Sequence, residues 1–97
     1  MMIMQLNTQQ REQIRLSLLR YCGSAAQCGL ATALLQQLLA SEGFRGLSAE
    51  QLRGELIYLA DKGLVAALPK VISPENEAWR ITAAGRDFLA GQQEGTI

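Results

Sequence analysis

The stretch from Leu47 to Leu64, LSAEQLRGELIYLADKGL, constrains the fold of this chain more than any other. Ser48, followed three residues later by Gln51, forms a capping box in which each side chain satisfies a backbone N–H that the first helical turn leaves free. Leu47, just outside the cap, is placed to staple against Leu52. Leu52, Leu56, Leu59 and Ala60 recur at helical spacing as one apolar stripe. Glu50, Gln51, Gly54, Tyr58 and Asp61 fall on the outer face, with Arg53 and Ile57 at its edge. Gly63 stops the helix and apolar residues resume at once. Such a helix needs neighbours to cover its stripe.

The segments before it supply two more helices. Asn7 or Thr8 caps the first, which runs to about Tyr21 with Ile14, Leu18, Tyr21 and Cys22 on the core face. Leu16 projects from nearly the opposite side, with Leu19 between. Together with Ile3, Met4 and Leu6 just upstream they form enough apolar surface to predict contact with a second copy through Ile3, Leu6, Leu16 and Leu19. GSAAQCG, from Gly23 to Gly29, is too rich in glycine and small residues to continue the helix and reads as a connection with room for a short extended piece. A second helix is expected from near Leu30, with Leu30, Leu34 and Leu38 on one ridge and Leu35 and Leu39 on another, as the middle helix of a trihelical core. Gly43 caps it in a left-handed conformation, Phe44 folds inward and Arg45 is left on the loop surface.

After Gly63 the pattern changes period. Leu64 to Leu68 suits a short strand closed by Pro69, KVISPEN (70–76) suits a hairpin tip, and Glu77 to Ile81 suits the return strand. Its alternation sends Glu77, Trp79 and Ile81 to one face, which makes Trp79 the apolar anchor of the hairpin. Thr82 caps a final helix, AAGRDFLAG, with Phe88 and Leu89 docking on the core before GQQEGTI frays. The fold predicted is mostly α with a small β-hairpin: a three-helix core, a two-stranded hairpin and a short C-terminal helix. Residues 7–91 form its single domain, with 1–6 as a flexible or dimer-contact segment and 92–97 as a frayed tail.

Composition narrows the function. With 97 residues, 48% of them hydrophobic, one core forms without disulfide or metal staples. Nine basic residues balance nine acidic ones, so any contact with a polyanion must rest on local charge. No apolar run approaches the roughly 18 residues that cross a bilayer, and MMIMQLNTQQ lacks the basic flank and long apolar core of a secretory signal; a cytoplasmic protein with no membrane partner is expected. Cys22 and Cys28, with no histidine in the chain, leave too few soft ligands for a closed metal site and read as small buried thiols, a disulfide or shared metal between two copies being the alternative. There is no glycine-rich phosphate loop and the acids are scattered singly, so no catalytic residues and no cofactor are expected.

The order of elements resembles a winged helix-turn-helix domain, in which the second helix props the third into the major groove and the hairpin is the wing. LIYLADKGLV (56–65) resembles the end of a winged-helix recognition helix. WRITAAGRDFL (79–89) resembles the second wing strand entering the last helix, the L-T-x-x-G pattern of multidrug-resistance and padlock-type phenolic-acid repressors. Ser48, Leu52, Arg53, Glu55, Leu56, Leu59, Ala60, Gly63, Leu64 and Val65 also resemble the spine of a family of small proteins of Mu-like bacteriophages and prophages. That resemblance implies a phage or prophage product in the bacterial cytosol; it implies no activity.

The winged-helix resemblance implies DNA as partner. Ala49, Glu50, Arg53, Gly54 and Tyr58 on the exposed side of the third helix, its cap Ser48, Arg45 before it, and Lys70 and Ser73 on the wing are the candidate contacts. Arg53 is the best of these, since its guanidinium fork matches O6 and N7 of a guanine. Charge argues the other way. From Ser48 to Lys62 there are two bases against three acids, Arg53 has Glu50 and Glu55 within ion-pairing reach along the helix, and only Arg11, Arg15, Arg20 and Arg45 add positive bias. Trp79 and Tyr58 can also be read as ligand-stacking residues, but Trp79 suits the core, and with no extra domain to build an effector pocket no small-molecule ligand is expected. The alternative to DNA is a protein-interaction module with a phage packaging or assembly protein as partner, using Leu16, Ile57 and Tyr58.

Overall fold

The computed structural model describes residues 5–25, 29–68 and 77–94. In chain order they form α1 (Thr8–Ser24), β1 (Leu30–Ala31), α2 (Thr32–Glu42), α3 (Ala49–Asp61), β2 (Val65–Ala67), β3 (Ala78–Ile81) and α4 (Ala83–Glu94). The order is the one the winged-helix resemblance implies, with corrections at its seams. Ile3, Cys28, the hairpin tip with Lys70 and Ser73, and the last three residues lie outside the described residues.

Asn7, not Thr8, caps α1: its Oδ1 accepts from the Gln10 backbone N–H at 2.7 Å, and Gln10 Oε1 accepts from the Asn7 N–H at 3.0 Å. The helix continues past Tyr21 through Cys22 and Gly23 to Ser24. A glycine in a helix costs about 1 kcal/mol relative to alanine. Tertiary packing offsets that here, because Cys22 is fully buried and Gly23 lies against Ile81 and Leu89. α1 is also the central helix, a place the pattern assigns to the second one. It packs on α2, α3, α4 and β3, so two of its stripes are covered, and Leu19, expected at a dimer surface, is 1% exposed in the core. Its contact with the end of α2 is polar: Ser17 Oγ donates to Glu42 Oε1 at 2.9 Å and the Tyr21 hydroxyl donates to Glu42 Oε2.

The sheet has three strands, not two, in the order β1-β3-β2, all antiparallel. Leu30 pairs with Trp79 and Ala31 with Ala78 on one side of β3, while Val65, Ala66 and Ala67 pair with Ile81, Arg80 and Trp79 on the other. α2 therefore begins at Thr32 rather than Leu30. It buries Leu35 and Leu39 but leaves Leu34 exposed, so the predicted Leu30–Leu34–Leu38 ridge does not exist as a core face. Gly43 ends α2 at φ 116°, the left-handed conformation its lack of a Cβ permits, and Phe44 and Leu47 turn inward.

Trp79 and Ile81 anchor the hairpin in the core as their alternation predicts. The T-x-x-G pattern at the head of α4 has a direct physical basis. Thr82 Oγ1 accepts from the Gly85 N–H at 3.0 Å and donates to the Gly63 carbonyl at 2.6 Å, while the Thr82 N–H donates to the Leu64 carbonyl at 3.1 Å. A Cβ on Gly85 would fall onto the Leu64 carbonyl oxygen and within 2.6 Å of Ile81 Cγ1, so only glycine lets α4 approach Leu64 and the end of β3 this closely. α4 then runs to Glu94, past the expected end at Gly91, with Leu89 on the core. Phe88, expected to dock beside it, is 42% exposed: Gly85 and Leu89 share the inward stripe, and Phe88 stands about 100° around the helix from Leu89.

Candidate nucleic-acid interface

The α2–α3 turn is locked before α3 begins. Gln36 Nε2 donates to the Leu47 carbonyl at 3.1 Å, Phe44 N to Leu39 O at 3.0 Å and Leu47 N to Phe44 O at 3.2 Å. The capping box forms as its residues predict: Ser48 Oγ accepts from the Gln51 N–H and Gln51 Oε1 from the Ser48 N–H, both at 3.0 Å. α3 is thus held at a defined angle by α2, with Leu52, Leu56 and Leu59 buried beneath it.

Its outer side presents Ala49, Glu50, Arg53, Gly54, Ile57, Tyr58 and Asp61 to solvent. Arg45 is exposed on the preceding loop. Gly54 has open space where a Cβ would stand, with no atom within 4 Å. The candidates do not form one cluster. Arg53 Nε donates to Glu77 Oε1 at 3.0 Å and so lies on the hairpin side of α3. Tyr58 lies on the opposite flank, against α1, where the Arg15 guanidinium sits 3.8 Å over its ring and Lys62 Nζ 5.6 Å from it.

The charge pattern differs from what the helix alone suggests. Glu55 is buried, and its carboxylate accepts from Arg15 Nε at 2.6 Å and from Arg11 Nε at 3.3 Å. One of the three acids of α3 is therefore neutralised inside, and two of the basic residues of α1 are committed there. Arg53 pairs with Glu77 and not with Glu50 or Glu55. The hydrogen bond that Arg53 donates to Glu77, aided by the carboxylate charge, pushes the Arg53 guanidinium further above its usual range, so the fork is cationic at any working pH.

Glu55 was legible in principle, since it shares the 52, 56, 59 stripe; Glu77 was not, because its partner lies 24 residues away. Cys22 is a free, fully buried thiol that donates to the Trp79 carbonyl at 3.9 Å, and burial pushes its pKa up to about 11. Among the described residues no group of three or more potential ligands is placed to hold a metal ion, and no helix is long and apolar enough to cross a membrane.

A groove of about 710 Å³ opens between α1, the end of α3 and α4, a feature the sequence pattern does not announce. Leu16, Leu19, Tyr58, Leu64 and Phe88 line its apolar part, with Glu12 on the α1 side and Lys62 on the α3 side. Of the expected contact residues, Leu16 is half-buried at this groove, Leu19 forms part of its floor, and Leu6 is half-buried against the core.

No protein-family model matches the chain, and no curated protein shows significant similarity to it. Solved structures do. A single-site mutant of S. aureus MepR bound to an oligodeoxyribonucleotide superposes with a TM-score of 0.64 at 16% identity over 86% of this chain. A second single-site MepR mutant gives 0.66 at 16% identity over 89%. The chain spans 60% and 62% of the length of those two MepR chains. At this identity the likeness establishes the winged-helix fold.

Proposed function

We propose that the protein is a winged-helix DNA-binding regulator of transcription, with α3 in the major groove and the hairpin on the backbone. The observation that carries this reading is the solvent-facing N-terminal half of α3, propped by α2 and flanked by the hairpin, with the Arg53 fork at the seam. The oligodeoxyribonucleotide bound to a structural neighbour supports it. Arg45, Ser48, Ala49, Glu50, Arg53, Gly54, Lys70 and Ser73 are the proposed contacts. Tyr58, turned toward α1, is the weakest of the set and acts through Arg15 and Lys62. The resemblance of the residues from Ser48 to Val65 to the spine of Mu-like phage proteins is the ground for proposing a phage or prophage product acting in the host cytosol.

The test is a fluorescence-anisotropy titration of a random-sequence duplex from 50 to 200 mM salt. Binding that weakens linearly in log salt, with a slope made shallower by Arg45→Ala, is expected; affinity indifferent to both refutes the reading.

The groove favours a second reading as a protein-interaction module. Its apolar lining of Leu16 and Phe88, with an acid, Glu12, and a base, Lys62, on different sides, makes a homodimer its first candidate occupant and a phage assembly protein the second. Sedimentation equilibrium of the wild type and of Phe88→Ser separates these, since only the homodimer dissociates in the variant.

A further inference from the structure

The hairpin contributes a residue to the reading helix. Glu77 stands at the head of β3, and its backbone carbonyl accepts two hydrogen bonds from Thr32, from N at 2.9 Å and from Oγ1 at 3.0 Å. Thr32 Oγ1 in turn accepts from the Nε1 of the buried Trp79 at 3.0 Å. The backbone of Glu77 is thereby fixed at the junction of α2 and the sheet, and its side chain is only 15% exposed. From that fixed point its carboxylate holds Nε of Arg53, whose own side chain is 52% exposed.

An arginine has five N–H donors, one on Nε and four on the two terminal nitrogens. Only Nε is engaged among the described residues, so the terminal pair, whose spacing matches O6 and N7 of a guanine, stays unpartnered. A free arginine on a helix surface samples many rotamers. One gripped at Nε by an anchored carboxylate has the direction of its fork set before a base arrives.

We infer that Glu77 is a positioning residue that aims Arg53 at a guanine and so sets specificity at one position of the DNA site. The inference rests on the DNA-binding reading and adds to it a residue from outside α3. It also carries an opposing charge effect. An anion beside the reading helix lowers affinity for any DNA, so removing it raises non-specific binding while loosening base choice. A contact that merely parks Arg53 away from DNA would, on removal, raise affinity and discrimination together.

The experiment begins with selection of a preferred duplex from a random library by the wild-type protein, followed by competition titrations in which each G·C pair is changed to A·T. Wild type is expected to lose about tenfold in affinity at one G·C position. Glu77→Ala is expected to bind random-sequence duplex about threefold more tightly at 50 mM salt, with discrimination at that position reduced to about twofold. Glu77→Gln keeps an acceptor for Nε without the charge. It should show the same rise in non-specific affinity with discrimination largely retained, a split that a purely structural role would not produce.

Discrimination unchanged or raised in Glu77→Ala overturns the inference, as does wild-type binding with no guanine preference anywhere. Absence of any wild-type binding removes the DNA reading and the inference with it. Thermal melts of both variants verify that the fold is intact.

Discussion

The Nε of Arg15 lies 2.6 Å from Oε1 of Glu55, forty residues along the chain, and ties the central helix to the inner face of the helix proposed to read DNA. The same guanidinium covers the Tyr58 ring. Removing one partner of a buried pair leaves an uncompensated charge inside. Arg15→Ala is therefore expected to cost about 2–3 kcal/mol in urea denaturation, because Arg11, more than half exposed, is left as the sole partner of Glu55. In a double-mutant cycle with Glu55→Gln the two changes should be far from additive. Additivity within about 0.5 kcal/mol would mean that the pair contributes no coupling.

Gly54 separates folding from function. With open space at its missing Cβ, Gly54→Ala should stabilise the protein by about 0.5–1 kcal/mol through helix propensity alone. If the backbone there approaches DNA, the same variant should bind duplex several-fold more weakly despite its higher melting temperature. A stabilised variant with unaltered binding would take Gly54 out of the interface.

At the other end of the hairpin, Gly85→Ala drives a methyl group onto the Leu64 carbonyl and should destabilise by about 1–3 kcal/mol. Thr82→Ala removes the cap of α4 and should cost about 1 kcal/mol. A change in melting temperature of less than about 2 °C for Gly85→Ala would show that α4 does not sit against Leu64 as described.

Cys22 provides a pH-dependent signature. Burial raises its folded pKa to about 11, so the native state favours the neutral thiol. Its contribution to stability is complete below the unfolded-state pKa near 8.5 and is lost as pH rises toward 11, where the unfolded chain has already released its proton. Between pH 9 and 11 the wild type should lose stability more steeply than Cys22→Ala, and in a Cys28→Ser background the native Cys22 thiol should resist alkylation at pH 8 until the protein is unfolded. Equal slopes, or rapid native labelling, would contradict the burial.

The sequence made α3 legible because its signals are local: the S-x-x-Q box, the stripe at 52, 56 and 59, and the stop at Gly63 all act within a turn or two. The T-x-x-G pattern was legible for the same reason. What was hidden depends on distant partners. β1 is two residues long, too short for any periodicity, and exists because β3, nearly fifty residues later, has a free edge beside it. α1 outlasts Tyr21 because Gly23 rests on Ile81 and Leu89. Leu19 is core rather than surface because α1, covered on several sides, buries two stripes where an outer helix would bury one. Arg53 was identified by its chemistry, but its partner was misassigned to neighbours on its own helix because Glu77 comes to it only through the sheet.

If the α3 edge carrying Arg53, and not the groove carrying Phe88, is the DNA-binding face, substitutions at the two places must separate. Anisotropy titrations of one labelled duplex at 50 mM salt with wild type, Arg53→Ala and Phe88→Ser test it most directly. Affinity is expected to fall about tenfold or more in Arg53→Ala and to stay within twofold in Phe88→Ser once monomer concentration is matched. Full affinity in Arg53→Ala, loss of binding in Phe88→Ser, or no binding by any of the three proteins would place DNA elsewhere or rule it out.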